Sequence, residues 1–143
     1  MLEHGGRLRA AAQQYGIPLN EWLDLSTGLA PWPFSFPAVP ASVWQRLPEA
    51  EDGLAGVAAQ RYGAAQALPV AGAQAAIQLL PQLRSVASRI GIAAPCYAEH
   101  AHAWQRAGHQ LLELRDEAIE AALDELDVLL LVNPNNPTGR VFA

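Results

Sequence analysis

The feature that most constrains the fold is a seven-residue turn sequence that directly follows a run of aliphatic residues near the end of the chain. Residues 128–132 read Val-Leu-Leu-Leu-Val, which predicts a short strand buried on both faces, as in a parallel sheet. Residues 133–139 read Asn-Pro-Asn-Asn-Pro-Thr-Gly, where prolines remove backbone donors and asparagine and glycine favour turns. Open α/β sheets bind ligands at the carboxyl ends of parallel strands. We therefore expect a binding loop, since a plain surface turn needs only three or four such residues.

The remainder of the chain predicts alternating strands and helices from residue 68 onward. The expected strands are residues 68–71, 90–94, 110–114 and 128–132, and the expected helices between them are 73–80, 98–107 and 117–126. This alternation predicts an α/β fold with parallel strands and right-handed helical crossovers. Before it we expect short helices near residues 7–15, 42–47 and 51–62. Four prolines between Pro31 and Pro40 predict an irregular arm, which packs either on its own domain or on a partner subunit.

Composition narrows the class of protein. The 143 residues are 51% hydrophobic and 16% charged, which is typical of a globular chain that buries a core. Proteins that bind nucleic acid carry a basic surface, so a formal net charge of −5 makes nucleic acid an unexpected partner. No apolar run reaches membrane-spanning length and no leader pattern opens the chain, so a cytoplasmic location is expected. The single cysteine, Cys96, allows no internal disulfide and no zinc set, and we interpret it as a packing residue.

Three histidines raise the question of a metal site. His100 and His102 are two residues apart, so on a helix they face different sides, and a zinc ion would need another spacing or a third ligand. We therefore expect no metal and interpret His100, His102 and His109 as exposed residues of a surface helix. Trp104, in contrast, is expected in the core.

The string at residues 133–139 resembles the signature of the fold-type I aminotransferase superfamily, whose members use pyridoxal 5′-phosphate. The resemblance implies a three-layer α-β-α domain with a mostly parallel sheet, preceded by an N-terminal arm. It assigns residues 1–50 to the arm and small-domain segment, and 51–143 to the first half of the cofactor-binding large domain, whose remainder is absent. In that family the asparagine before Pro-Thr-Gly donates its amide to the phenolic oxygen of the cofactor, and here that residue is Asn136.

Two further cofactor contacts follow from the same resemblance. The strand–glycine–helix pattern at Gly72, Ala73 and Gln74 matches the family's phosphate cup, with backbone N–H groups at a helix start as the donors. Taken alone, the pattern favours a simple turn at Gly72, because strand–glycine–helix sequences are common. Family members also place an aromatic ring on the cofactor two residues after a proline, which here gives Tyr97 after Pro95. The alternative for Tyr97 is a core residue at a strand–helix junction.

The start of the chain selects a branch of the superfamily. His4-Gly5-Gly6, followed by Leu23-Asp24-Leu25-Ser26-Thr27-Gly28, resembles the opening of the L-threonine-O-3-phosphate decarboxylases of cobalamin biosynthesis. The resemblance implies a homodimer and a small phosphorylated amino-acid substrate, with His4 and Gly28 as substrate-binding positions. Histidinol-phosphate aminotransferases are the second candidate. The chain departs from the family at Leu47, where relatives often carry a tyrosine that reaches the cofactor phosphate of the neighbouring subunit.

Lysine is absent from this sequence. All nine basic residues are arginines, whereas pyridoxal phosphate enzymes hold the cofactor as a Schiff base on a lysine amine. No catalytic residue is therefore assigned in this chain. We expect a longer enzyme in which the lysine follows Ala143, and we expect these 143 residues to be inactive alone. A binding or regulatory module without catalysis is the alternative from another class.

Overall fold

A three-stranded parallel sheet forms the centre of the first of two units in this computed structural model, which describes residues 5–30 and 32–142. The first unit comprises Met1–Pro31 and Ile77–Ala143, and the second comprises Trp32–Ala76. The domain boundary expected at residue 50 stays a prediction. No helix in the described ranges has the length and apolar character that crossing a bilayer requires.

The central strand of the sheet holds the core. Strand β1 (Arg89–Ala93) pairs in parallel with β2 (Gln110–Leu114) on one side and with β3 (Val128–Leu130) on the other. Ile90 and Ile92 of β1 are fully buried, and burying a side chain of this size contributes about 1.5–3 kcal/mol. The predicted α/β class with parallel strands is therefore confirmed.

Helix α4 (Ala98–Arg106) connects β1 to β2 and contacts β2. It buries Ala103 and Trp104, so the prediction that Trp104 belongs to the core is confirmed. The chain leaves the helix through Gly108, whose φ of +87° lies in the left-handed region that favours glycine. This reversal brings the chain back to the start of β2.

The prediction for His109 is wrong, because this residue is buried. It follows Gly108 at the entrance to β2 instead of lying on the surface of a helix. Its Nδ1 accepts a hydrogen bond from the Ser88 backbone N–H at 3.2 Å, and its Nε2 lies 3.0 Å from the Pro81 carbonyl oxygen. Because a carbonyl cannot donate, Nε2 carries the proton and the ring is the neutral tautomer. His109 thereby satisfies two backbone groups beside the sheet. His102 is exposed as expected, and His100 is half-buried.

Several predicted elements differ from the structure. Residues 66–70 form no strand, and the Gly72 N–H bonds the Val70 carbonyl oxygen at 2.7 Å in a tight turn. The prediction of a strand at residues 68–71 is wrong. Pro69 has no N–H to donate to a neighbouring strand, and apolar residues alone do not form a strand without a partner to pair with. The helix predicted at residues 117–126 is α5 (Ile119–Ala122) between two 3₁₀ turns.

Strand β3 ends two residues earlier than predicted and is half-buried, not buried on both faces. Within the described part of the chain it pairs only with β1, so its other edge is open.

The remaining elements are short helices. Helix α1 (Leu8–Tyr15) belongs to the first unit. The second unit contains a 3₁₀ turn (Ala41–Gln45), α2 (Leu54–Tyr62) and most of α3 (Ala73–Leu79). Residues 32–40 have no regular structure, which agrees with the predicted irregular arm, and Pro31 lies outside the described residues.

Candidate functional site

Three loops meet at one edge of the sheet, because parallel strands place their carboxyl ends together. They are residues 94–97 after β1, residues 115–118 after β2 and residues 131–142 after β3. Residues 133–142, which begin with the turn sequence, are called the asparagine loop below. A hydrogen bond to the loop after β1 and an ion pair to the loop after β2 connect this loop to the other two.

Asn135 attaches the asparagine loop to the loop after β1. This side chain is buried, and its Nδ2 donates to the Pro95 carbonyl oxygen at 2.9 Å and to Thr138 Oγ1 at 2.7 Å. Its backbone N–H donates to the Arg140 carbonyl oxygen, and its carbonyl oxygen accepts from the Gly139 N–H, both at 2.7 Å. Buried amides are stable only when satisfied in this way. Asn135 therefore fixes the shape of the turn. Reasoning from the sequence did not single it out.

The two ends of the asparagine loop are also joined. Asn133 Nδ2 donates to the Phe142 carbonyl oxygen, and the Phe142 N–H donates to Asn133 Oδ1, both at 3.1 Å. An amide side chain thus pairs with a backbone group as a neighbouring strand would. This pairing closes the ten-residue loop at its base.

An ion pair attaches the asparagine loop to the connection that follows β2. Arg140 forms a salt bridge with Asp116, which follows β2, and its guanidinium carbon lies 4.2 Å above the centre of the Phe142 ring. Guanidinium groups stack favourably on aromatic faces. Asn135, Asp116 and Arg140 all line a small cavity of about 150 Å³ at this edge.

Asn136, the predicted cofactor contact, is exposed at this edge and follows the buried Asn135 directly. An exposed amide with two donor hydrogens on a fixed loop is chemically suited to bind an anionic oxygen. Its contact with the cofactor stays a prediction.

Tyr97 lies on the loop that Asn135 reaches, immediately before α4. It is half-buried, and its ring meets the His100 ring edge-on, with 6.1 Å between centroids. Burial lowers the pKa of His100 below its ordinary value. The sheet thus brings Tyr97 and Asn136 to adjacent loops, while the stacking role of Tyr97 stays a prediction.

Gly72, Ala73 and Gln74 form the expected helix start. Gly72 has φ of +83°, its carbonyl oxygen accepts from the Ala75 N–H at 3.2 Å, and all three residues are exposed. Backbone N–H groups at a helix start suit an anion in general, but the Gly72 N–H here bonds the Val70 carbonyl oxygen. Of the predicted strand–glycine–helix pattern, the glycine and the helix are present and the strand is not, and the function as a phosphate cup stays a prediction.

The two predicted substrate-binding positions are His4 and Gly28. His4 lies outside the described residues. Gly28 is exposed, and a side chain there would meet open space. Beside it the Gly6 N–H donates to Ser26 Oγ at 2.8 Å, and a Cβ on Gly5 would collide with the Ser26 carbonyl oxygen. The segment after His4 is therefore held against Ser26, next to a groove of about 530 Å³.

The Cys96 thiol lies on the loop after β1. Burial, and secondarily the charge of Glu113, raise the pKa of the Cys96 thiol, which makes this thiol a poor nucleophile at neutral pH. Among the described residues, no group of three or more His, Cys, Asp or Glu side chains is placed to hold a metal ion.

Comparisons with known proteins define the family. The model of the aminotransferase class I and II family matches residues 44–143, so the chain belongs to this family. A threonine-phosphate decarboxylase of Pseudomonas aeruginosa is 63% identical over 142 residues, which cover 99% of this chain and 43% of that protein. The threonine-phosphate decarboxylase of a Sinorhizobium species is 41% identical over 98% of this chain and 43% of its own length. That of Salmonella typhimurium is 29% identical over 95% of this chain and 42% of its own length. The chain thus spans less than half the length of these relatives.

Proposed function

We propose that the complete protein is a pyridoxal 5′-phosphate-dependent decarboxylase that converts L-threonine O-3-phosphate to aminopropanol phosphate for cobalamin biosynthesis. The observation that carries this proposal is the 63% identity to a threonine-phosphate decarboxylase over nearly the whole chain. The turn sequence supports it by its position, because it presents an exposed amide at the ligand-binding edge of a parallel sheet.

Within this proposal the chain supplies a set of binding residues. Asn136 donates to the phenolic oxygen of the cofactor, Tyr97 lies on its ring, and the backbone at 72–74 receives its phosphate. The donor set fits such a group: an exposed neutral amide for the phenolate and helix-start N–H groups for the phosphate. When bound, the cofactor supplies an electron sink for the bond-breaking step. The lysine that binds it covalently has no counterpart in these 143 residues.

The same proposal covers the substrate and the assembly. His4 and the backbone of Gly28 hold the phosphorylated amino acid, and the Gly6–Ser26 hydrogen bond keeps the chain after His4 in place. Residues 1–50 form an arm and small-domain segment, and 51–143 begin the cofactor-binding domain. The complete enzyme is a cytoplasmic homodimer.

An aminotransferase is the second candidate, because the matching family model is that of class I and II aminotransferases. The two reactions differ in the substrate bond that breaks. In a decarboxylase the substrate loses its carboxylate as carbon dioxide. In an aminotransferase the substrate loses its α-proton, and its amino group passes to an oxo acid.

The test uses the purified complete protein with pyridoxal phosphate and L-threonine O-3-phosphate. We expect release of carbon dioxide in stoichiometric amounts with aminopropanol phosphate, and no amino transfer from histidinol phosphate to 2-oxoglutarate. Amino transfer without carbon dioxide release would support the second candidate and contradict the first. A polypeptide of residues 1–143 serves as the control, and we expect it to be inactive because it contains no lysine.

A further inference from the structure

The asparagine loop is attached to the sheet on both sides of Asn136. On one side, the buried Asn135 side chain bonds the Pro95 carbonyl oxygen and Thr138 Oγ1. On the other side, Arg140 binds Asp116 and stacks on Phe142. Asn136 is exposed between these two attachments.

The attachments come from different strands. Pro95 follows β1 and Asp116 follows β2, so the loop after β3 is tied to the connections that follow both other strands. A loop of this length, rich in turn residues but held only at its base, would sample many conformations. Fixing it before a ligand arrives removes that entropic cost from the binding step.

We propose that Asn135, Asp116 and Arg140 are positioning residues that hold the Asn136 amide in place for the cofactor's phenolic oxygen. This inference rests on the proposed function, since it concerns the same cofactor. In this proposal the three act through the loop and not by contact with the cofactor: Asn135 through its bonds to Pro95 and Thr138, and Arg140 through its ion pair with Asp116. Asp116 and Arg140 both lie outside the turn sequence of residues 133–139, so the turn sequence alone does not reveal their ion pair.

The test measures the equilibrium dissociation constant of pyridoxal 5′-phosphate with the complete, cofactor-free protein. Arg140→Gln and Asp116→Asn remove the ion pair at partly exposed side chains, so folding should survive. Asn135→Asp keeps the size of the side chain and removes the two Nδ2 donors. We expect each variant to bind about tenfold more weakly, a loss typical of coupled neighbouring residues.

A double-mutant cycle separates positioning from a general structural role. In an Asn136→Ala background the amide is gone, so adding Arg140→Gln should weaken binding by less than about twofold. Hydrogen exchange of peptides from residues 133–142 provides a second readout without cofactor, and we expect faster exchange in Arg140→Gln. Arg46→Gln is the matched control, because it breaks an exposed ion pair with Glu49 in the other unit and should change neither measurement.

The outcomes distinguish this inference from the proposed function. If the unaltered protein does not bind pyridoxal phosphate, the proposed function is wrong and the inference fails with it. If it binds, but Arg140→Gln and Asp116→Asn bind equally well, the inference alone is overturned. A loss of the same size with and without the Asn136 amide, or unchanged exchange of the loop, would also overturn it.

Discussion

Ser26 stabilises the charged form of one carboxylate near the start of the chain. Its hydroxyl donates to Asp24 Oδ1 at 2.6 Å and its backbone N–H donates to the same oxygen at 2.9 Å. These bonds, the hydroxyl first, lower the pKa of Asp24 below its ordinary value of 3.8. Because the folded pKa is lowered, the bonds contribute stability above the ordinary value, and this contribution is lost as the pH falls through the lowered pKa.

We therefore predict that Ser26→Ala raises the pKa of Asp24 towards 3.8. The measurement is a carbon-detected NMR titration of the Asp24 carboxyl in the complete protein between pH 2 and 6 (about four units, enough to bracket the transition). Ser35→Ala, at another exposed serine, is the control and should leave the titration unchanged. An Asp24 midpoint that is the same in Ser26→Ala and the unaltered protein would contradict the prediction. The substitution also removes the acceptor of the Gly6 N–H, so the segment after His4 should exchange faster.

Individual side chains also show where sequence reasoning stops. The turn sequence does follow a parallel strand, as predicted, and its role in binding stays a prediction. It could not show that Asn135 points inward, because three asparagines in one turn are chemically identical until the fold places them. The Asp116–Arg140 pair was missed because its residues lie on different loops, and only the sheet brings those loops together. His109 was misplaced for the same reason: its two partners, Pro81 and Ser88, are distant in sequence.

At the scale of elements, strand β1 depends on a residue without a side chain. A Cβ on Gly91 would collide with Leu126 and lie 2.9 Å from Leu114 Cδ1, between the fully buried Ile90 and Ile92. We predict that Gly91→Ala lowers the free energy of unfolding of the complete protein by about 1–3 kcal/mol, the usual cost of overfilling a core. Chemical denaturation monitored by circular dichroism measures it.

Gly56→Ala is the control for that substitution, because it makes the same chemical change in helix α2, where a Cβ meets nothing within 4 Å. It should be neutral or stabilising by up to about 1 kcal/mol, owing to the helix propensity of alanine. Equal effects of the two substitutions would show that Gly91 is not constrained by packing.

The strands were predictable to different degrees. β1 and β2 lie within one residue of their predicted bounds, because compact apolar runs flanked by glycine or proline are a strong local signal. Residues 68–71 have a similar run and form no strand, since a strand exists only when a neighbour accepts its hydrogen bonds. The helix predicted at 117–126 formed only one α-helical turn, which the apolar spacing did not indicate.

At the scale of the whole molecule, much apolar surface is uncovered. Large apolar residues that are more than four-fifths exposed include Leu25, Leu29, Phe34, Leu47 and Leu68. Soluble monomers rarely expose so many large apolar side chains. The chain also spans only about 43% of the length of the Pseudomonas aeruginosa threonine-phosphate decarboxylase. Both observations support the proposed enzyme over the alternative of an independent binding module.

We therefore predict that a polypeptide of residues 1–143 self-associates, whereas the complete protein is monodisperse. The apolar residues of the arm and of α2 would find partners in other copies when the rest of the protein is not there to cover them. Sedimentation velocity of both polypeptides over a tenfold concentration range (about 5–50 μM) measures this. A variant of residues 1–143 with Phe34→Ser and Leu47→Ser should associate less, while Ser35→Ala should not change the distribution. If residues 1–143 are monodisperse and bind pyridoxal phosphate without a lysine, the chain is a binding module and the enzyme proposal loses its main structural support.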